Sequence, residues 1–298
     1  MSSTSIRKRT GFPEKQYAPH PPGETLMEET IRMIKKYGIR PVRRLSQSFV
    51  VDGLLLRTIV ENVQPVPSDV IVEIGAGLGA LTFELAKQGS KIKAVEIDPV
   101  LVRVLKDRFS TFQNVEVVQG DFLDMDLKGN VYTGNIPYHV STPIIFKILR
   151  QNYERAVITV QKEVAERIVS KPGTREYGRL TVSVNARAEP RVLGFFPSSS
   201  FYPRPKVAHA VLYMKPSRRV VNESILDGLL RTMFSQRKRL ARTVFKKSLE
   251  KLYGEEGELL YSNVTRLIPE GKRVFELTVQ DFLKLTQTLS NLTSSIGA

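Results

Sequence analysis

Three side chains with separate chemical uses stand close together in GNIPY at 134 to 138: the amide of Asn135, the ring of Pro137 and the phenol of Tyr138. The stretch follows the apolar-rich run Val131 to Thr133, which puts the amide where a strand would end. An amine on an aromatic base is a poor nucleophile, because its lone pair is conjugated into the ring. An acceptor from Asn135, with a main-chain carbonyl near Ile136 or Pro137, would hold both amine hydrogens and bias the nitrogen towards attack on an electrophilic carbon. Pro137 stiffens the loop, and Tyr138 offers a face on which a base can stack. Read alone, the same five residues are equally a strand-ending turn with a core tyrosine.

A second constellation supplies the electrophile. VEIGAGLGALT at 72 to 82 sets three glycines where a strand turns into a helix, permitting a tight turn against which a ligand can lie. Glu96 follows Gly75 by 21 residues at the end of the next strand, where a carboxylate takes ribose hydroxyls. Gly75, Gly77 and Ala80 also satisfy a dinucleotide fingerprint, so a dehydrogenase is one reading. Glu73 argues for another. A carboxylate two residues before the glycines would repel a pyrophosphate and suit the ammonium and sulfonium groups of S-adenosylmethionine. Its plainer role is a capping or salt-bridging acid. Asp121, in QGDFLD, is placed to accept from the cofactor's adenine amine, and Phe122 to cover that ring.

Short Val/Ile runs alternate with helical stretches from about residue 69. DVIVEI, KIKAVEI, VEVVQGD, NVYTGN and RAVITVQ read as strands; ALTFELAKQ, PVLVRVLKDRF and STPIIFKILRQ carry helical spacing. This order predicts an α/β fold, a parallel sheet with helices on both faces and its ligand site at the strands' carboxyl ends. PRVLGFF and AHAVLYM, on either side of FYPRPK, extend the sheet. After KPSRR at 215 to 219 the strand signals fade, and ILDGLLRTMF, LARTVFKKSLEKLY and VQDFLKLTQTLSNL predict a helical domain. The expected division is 1–40, a basic extension with one helix from Glu24 to Tyr37; 41–215, the sheet domain; and 216–298, the helical domain.

With 41% hydrophobic and 25% charged residues the chain has the balance of a soluble globular protein, and no apolar run reaches the length of a membrane span. MSSTSIRKRTGF lacks the apolar core of a secretory signal, so a cytoplasmic protein is expected. Absence of cysteine excludes thiolate metal sites and a cysteine nucleophile. His20, His139 and His209 show no ligand spacing, and no metal site is expected. The net charge of +15 is segregated: residues 1–50 contribute +6, residues 215–247 contribute +8 and everything else +1. Such patches point to a polyanion, nucleic acid above all.

From about residue 41 to 247 the chain resembles the ribosomal-RNA adenine dimethyltransferase family, related to the erythromycin-resistance methylases and the mitochondrial transcription-factor B proteins. The resemblance rests on RRLSQSFVVD, VEIGAGLGALT, the acid of VEID, GDFL, NIPY, QKEVAERI, YGRLTVSV, FYPRPKV and FSQRKRLARTV, in that order. It implies a Rossmann-like class I methyltransferase sheet with a smaller C-terminal helical domain. It also implies that Gln47, Ser48 and Val50 contact S-adenosylmethionine together with Gly75, Glu96, Asp121 and Asn135. The family's usual LGQNFL is here LSQSFV, so Ser48 stands in place of an asparagine. By the same resemblance Tyr138 and Phe201 grip the target adenine, and Phe201, followed by Pro203 and Pro205, is a ring on a stiff arm.

The implied substrate is a pair of adjacent adenosines in a hairpin loop near the 3′ end of small-subunit rRNA, each receiving two methyls. Looped RNA lets a base leave its stack cheaply. Arg237, Lys238, Arg239, Arg242 and Lys246 are the expected phosphate contacts, with Arg239, Arg242 and Lys246 at helical spacing on one face. Residues 7 to 9, Arg-Lys-Arg, are a further candidate RNA arm. A monomer is expected. The rival readings are a ribosome-assembly or transcription factor that only binds, and a methylase of large-subunit rRNA.

Overall fold

The computed structural model describes residues 24–42, 45, 47–217 and 219–296. The candidate arm at 7 to 9 and His20 lie outside them. The strands among the described residues are β1 Phe49–Val50, β2 Val70–Ile74, β3 Lys91–Glu96, β4 Val115–Gln119, β5 Val131–Asn135, β6 Arg155–Gln161, β7 Ala188–Phe196, β8 Phe201–Tyr202 and β9 His209–Pro216. The α-helices among the described residues are α1 Leu26–Lys36, α2 Gly53–Val63, α3 Ala80–Ala86, α4 Pro99–Arg108, α5 Ser141–Leu149, α6 Lys162–Ile168 and α7 Arg179–Arg187, then α8 Glu223–Phe234, α9 Ala241–Tyr253, α10 Glu256–Val264 and α11 Val279–Ile296.

Seven strands form one sheet in the order β4-β3-β2-β5-β6-β9-β7. The first five are parallel; β9 runs antiparallel to β6, and β7 antiparallel to β9. The chain steps outward from β2 to β4, then returns to lay β5 on the other side of β2. That reversal opens a crevice between the carboxyl ends of β2 and β5, where open α/β sheets bind ligands. VIVEI of β2 is buried on both faces, as a central parallel strand must be. Asp98 caps α4 with Pro99 at its first turn, starting that helix directly after β3.

A separate two-stranded ribbon pairs β1 with β8, matching Val50 to Phe201. It brings residues 47–50 and the FYPRPK arm together. Helix α1 joins the sheet lobe, because Met33 packs with Phe49, Leu78, Leu101 and Val104. Arg108 on α4 pairs with Glu29 on α1 at 2.8 Å, both side chains buried. The helix expected within 1–40 is therefore part of the sheet lobe's core.

YGRLTVSV folds as the start of α7 despite its β-branched residues. Leu180 and Val184 enter the sheet core while Val182 and Ala186 enter the helical core, and Thr181, Ser183 and Arg187 are buried as well, because this helix lies between two cores. The helical core begins at Tyr177, well before residue 216. Arg187 at the end of α7 bonds Glu223 and Asp227 on α8 across the seam. Among the described residues no helix is long and apolar enough to cross a membrane.

Candidate active site

Gly134 sets the spacing of the site. Its φ is +141°, and a Cβ there would lie 2.2 Å from the carbonyl oxygen of Ile74, so only glycine lets β5 approach the end of β2 this closely. Asn135 consequently emerges beside the glycine turn. Its Nδ2 donates to the carbonyl of Ser48 at 2.8 Å. Because a carbonyl can only accept, this bond fixes the amide orientation and leaves Oδ1 over. That oxygen is buried without a partner.

Asn135 lines a cleft open to solvent, about 770 Å³ counting its mouth. Gln47, Ser48, Gly75, Gly77, Glu96, Asp121, Phe122 and Pro137 line it too. Gly75 and Gly77 have φ of +74° and +58°. The Glu96 carboxylate accepts from Gly77 N at 2.9 Å and from Ile97 N and Asp98 N at 2.9 and 3.0 Å. Burial pushes its pKa up, and these three N–H groups oppose the shift. Asp121 Oδ1 accepts from Leu123 N at 2.8 Å. Gln47 bridges Val42 N at 2.7 Å and Asp98 Oδ2 at 2.6 Å. Ser48 Oγ donates to the Pro203 carbonyl at 2.6 Å, tying the segment to the proline arm.

Glu73 and Val50 instead line a second cavity behind the glycine turn, which shares Ser48, Gly75, Gly77 and Asn135 with the first. Glu73 is 2% exposed and accepts from Thr82 Oγ1 at 2.6 Å. Burial pushes its carboxyl up to about 8, so at neutral pH the expected strand-tip anion is mostly a neutral acid. This corrects the charge argument made for Glu73. Ile136 buries its side chain in the sheet core and donates its N–H to Thr159 O at 3.0 Å.

A profile of the ribosomal RNA adenine dimethylase family matches residues 40–291. The chain belongs to this family. Its relatives include the probable ribosomal RNA small subunit methyltransferase A of Thermococcus sibiricus, 35% identical over 89% of this chain and 98% of the relative. That of Methanothermobacter thermautotrophicus is 34% identical over 91% and 98%. Among solved structures, a dimethyladenosine transferase from Plasmodium falciparum matches with a TM-score of 0.74 and 29% identity, over 82% of this chain and 98% of that one. The 23S rRNA methyltransferase ErmE gives 0.61 and 25%, over 81% and 99%. As a member of the dimethylase family the chain is an rRNA adenine methyltransferase with the class I Rossmann-like fold.

The dimethylase's two expected base-gripping rings, Tyr138 and Phe201, are joined by a third. The His209 imidazole centroid lies 5.1 Å from that of Tyr138 and 4.2 Å from that of Phe201. Phe201 is fully buried, and the Tyr138 hydroxyl, near Ser48, has no hydrogen-bond partner. Sequence reading weighed His209 only as a metal ligand; its signal was a lone polar ring opening an apolar strand beside the proline arm. It also passed over Lys147 on α5, whose Nζ donates to the carbonyls of Phe122, Leu123 and Met125 at 2.6, 2.8 and 2.5 Å and holds the Asp121 loop in place.

The basic segment departs from expectation. Helix α9 begins at Ala241, which leaves Arg239 in the preceding turn and off the helix face that carries Arg242 and Lys246. Arg242 pairs with Glu270 at 2.5 Å, and Lys246 with Glu258 at 2.8 Å. Arg237 donates to the carbonyls of Thr174 and Arg175 and stacks on Phe275. Lys238 and Arg239 are exposed, and neither side chain forms a hydrogen bond or ion pair among the described residues.

Proposed function

We propose that this dimethylase transfers methyl groups from S-adenosylmethionine to the exocyclic amines of two adjacent adenosines in a hairpin loop near the 3′ end of small-subunit rRNA. It would act as a cytoplasmic monomer and contribute to ribosome biogenesis. The small-subunit target follows the names of the archaeal relatives. The chemical half rests on one observation: the Asn135 Oδ1, buried, unpaired and fixed in direction by the Ser48 carbonyl.

The cleft residues fit the cofactor. Gly75 and Gly77 present bare backbone, Glu96 is held in place for the ribose hydroxyls, and Asp121 and Phe122 suit an adenine edge and face. When bound, S-adenosylmethionine supplies a methyl group on a sulfonium. Asn135 Oδ1 accepts one hydrogen of the target amine. The Pro137 carbonyl already accepts from Val140 N at 3.2 Å, so the Ile136 carbonyl is assigned the other. These acceptors would turn the amine's lone pair out of conjugation and present it to the donor methyl, a contribution of alignment and polar preorganisation, with the displaced thioether leaving as product and the amine proton passing to solvent. No strong base is required before attack, since the methylated nitrogen becomes acidic only afterwards. In a second round one hydrogen remains, and a single acceptor suffices to hold it.

Incubation with labelled S-adenosylmethionine and unmethylated small subunits, followed by mapping of the modified nucleotides, tests the reading. Label is expected on N6 of two neighbouring adenosines near the 3′ end of small-subunit rRNA. Label confined to large-subunit rRNA, or none at all, would refute it.

A further inference from the structure

His209 opens β9 opposite Gln161 of β6 and Phe196 of β7, at the same end of the sheet as Asn135. It is fully buried, and neither ring nitrogen has a hydrogen-bond partner. A neutral imidazole carries one donor and one acceptor, so both are unsatisfied in this packing. Burial pushes its pKa down to about 4, leaving a flat, uncharged heteroaromatic ring at neutral pH.

The ring's position is more telling than its burial. Its centroid lies 4.2 and 5.1 Å from those of Phe201 and Tyr138, with the planes tilted by 46° and 45°, so the imidazole fills the space beside both rings without stacking flat on either. A base gripped by Tyr138 and Phe201 would need the same space. Two rings cannot share that space, and Phe201 has no exposed face left to offer.

Resting on the proposed base slot, we infer that His209 is a specificity-determining residue which occupies the slot in the absence of RNA and is displaced by the extruded adenine. Displacement releases the two unpaired nitrogens to water while the incoming base takes over the ring contacts. The exchange favours a base that stacks strongly, a purine over a pyrimidine, and disfavours casual entry of any passing nucleotide.

The test uses the full chain with a synthetic RNA hairpin bearing two adjacent loop adenosines, and the same hairpin abasic at both positions. Dissociation constants are measured by fluorescence anisotropy for wild type, His209→Ser and His209→Phe, with S-adenosylmethionine affinity checked first to show that each variant is folded. Removing the competing ring in His209→Ser is expected to tighten binding of the intact hairpin roughly three- to tenfold. His209→Phe, an apolar ring with nothing to gain from water, is expected to weaken it, and abasic binding should stay level throughout. Weaker binding of the intact hairpin by His209→Ser would make the imidazole a contact of the base and overturn the inference. So would equal affinities for the two hairpins in all three proteins. Failure of the wild-type protein to methylate small subunits would instead remove the underlying reading.

Discussion

Asn135 Oδ1, the Tyr138 hydroxyl and both His209 nitrogens are buried polar atoms without partners, gathered at one end of the sheet. Each unpaired group of this kind costs about 1–3 kcal/mol, so their gathering marks a place completed by something that binds. Asn135 stood out in sequence by its place in NIPY after the Val131 to Thr133 run and by the resemblance that motif carries, since an amide at a strand end alone suits a turn equally well. Glu73 was legible as an acid but not as a neutral one, since its burial depends on packing that neighbouring letters do not specify. Its folded pKa near 8 against an ordinary 4.5 has a signed consequence. Between those values the folded chain keeps a proton that the unfolded chain has lost, so stability falls as pH rises through that window. The slope is at most about 1.4 kcal/mol per pH unit. Glu73→Gln keeps an acceptor for Thr82 and removes the titration. Thermal melts from pH 5 to 9 are expected to show wild type losing stability relative to this variant; parallel curves would contradict the assignment.

At the scale of elements, the switch between β2 and β5 does the positioning, and Gly134 is the residue that permits it. Gly134→Ala would place a Cβ against the Ile74 carbonyl at a φ that alanine resists. A loss of roughly 3 kcal/mol or more is expected in denaturant titrations, with transfer activity falling alongside. A change under about 1 kcal/mol would mean that β5 can withdraw from β2 without harm. Strands β2 and β6 were readable because strands buried on both faces carry near-continuous apolar runs, here VIVEI and AVITV. Helix α7 was not, because polar and apolar residues alternate in RLTVSVNAR with the period of a strand, and it is packing between two cores that makes the segment a helix. Arg239 was misplaced for a related reason: spacing by three and four continues upstream of α9 although the helix does not.

Over the whole molecule, charge segregation identified the basic segment but could not say which cations remain available. The ion-pair partners Glu258 and Glu270 come from well beyond it in sequence. Arg242 and Lys246 are thus partly neutralised, and Lys238 and Arg239 are the stronger candidates for phosphate contact. Replacing both with alanine is expected to weaken RNA binding and to reduce the slope of log K against log salt by roughly 1 to 2. An unchanged slope would place the phosphate contacts elsewhere. The two lobes share α7 and the Arg187 bonds to α8, so the basic turn is anchored to the sheet that carries the cleft.

The most direct measurement is single-turnover methyl transfer by Asn135→Ala at saturating S-adenosylmethionine on unmethylated small subunits. Loss of the side-chain acceptor, with only the Ile136 carbonyl left to hold the amine, should slow the chemical step roughly 100-fold or more, while the variant still binds cofactor. Transfer at the wild-type rate would contradict the account, because the target nitrogen would then be oriented by some other group.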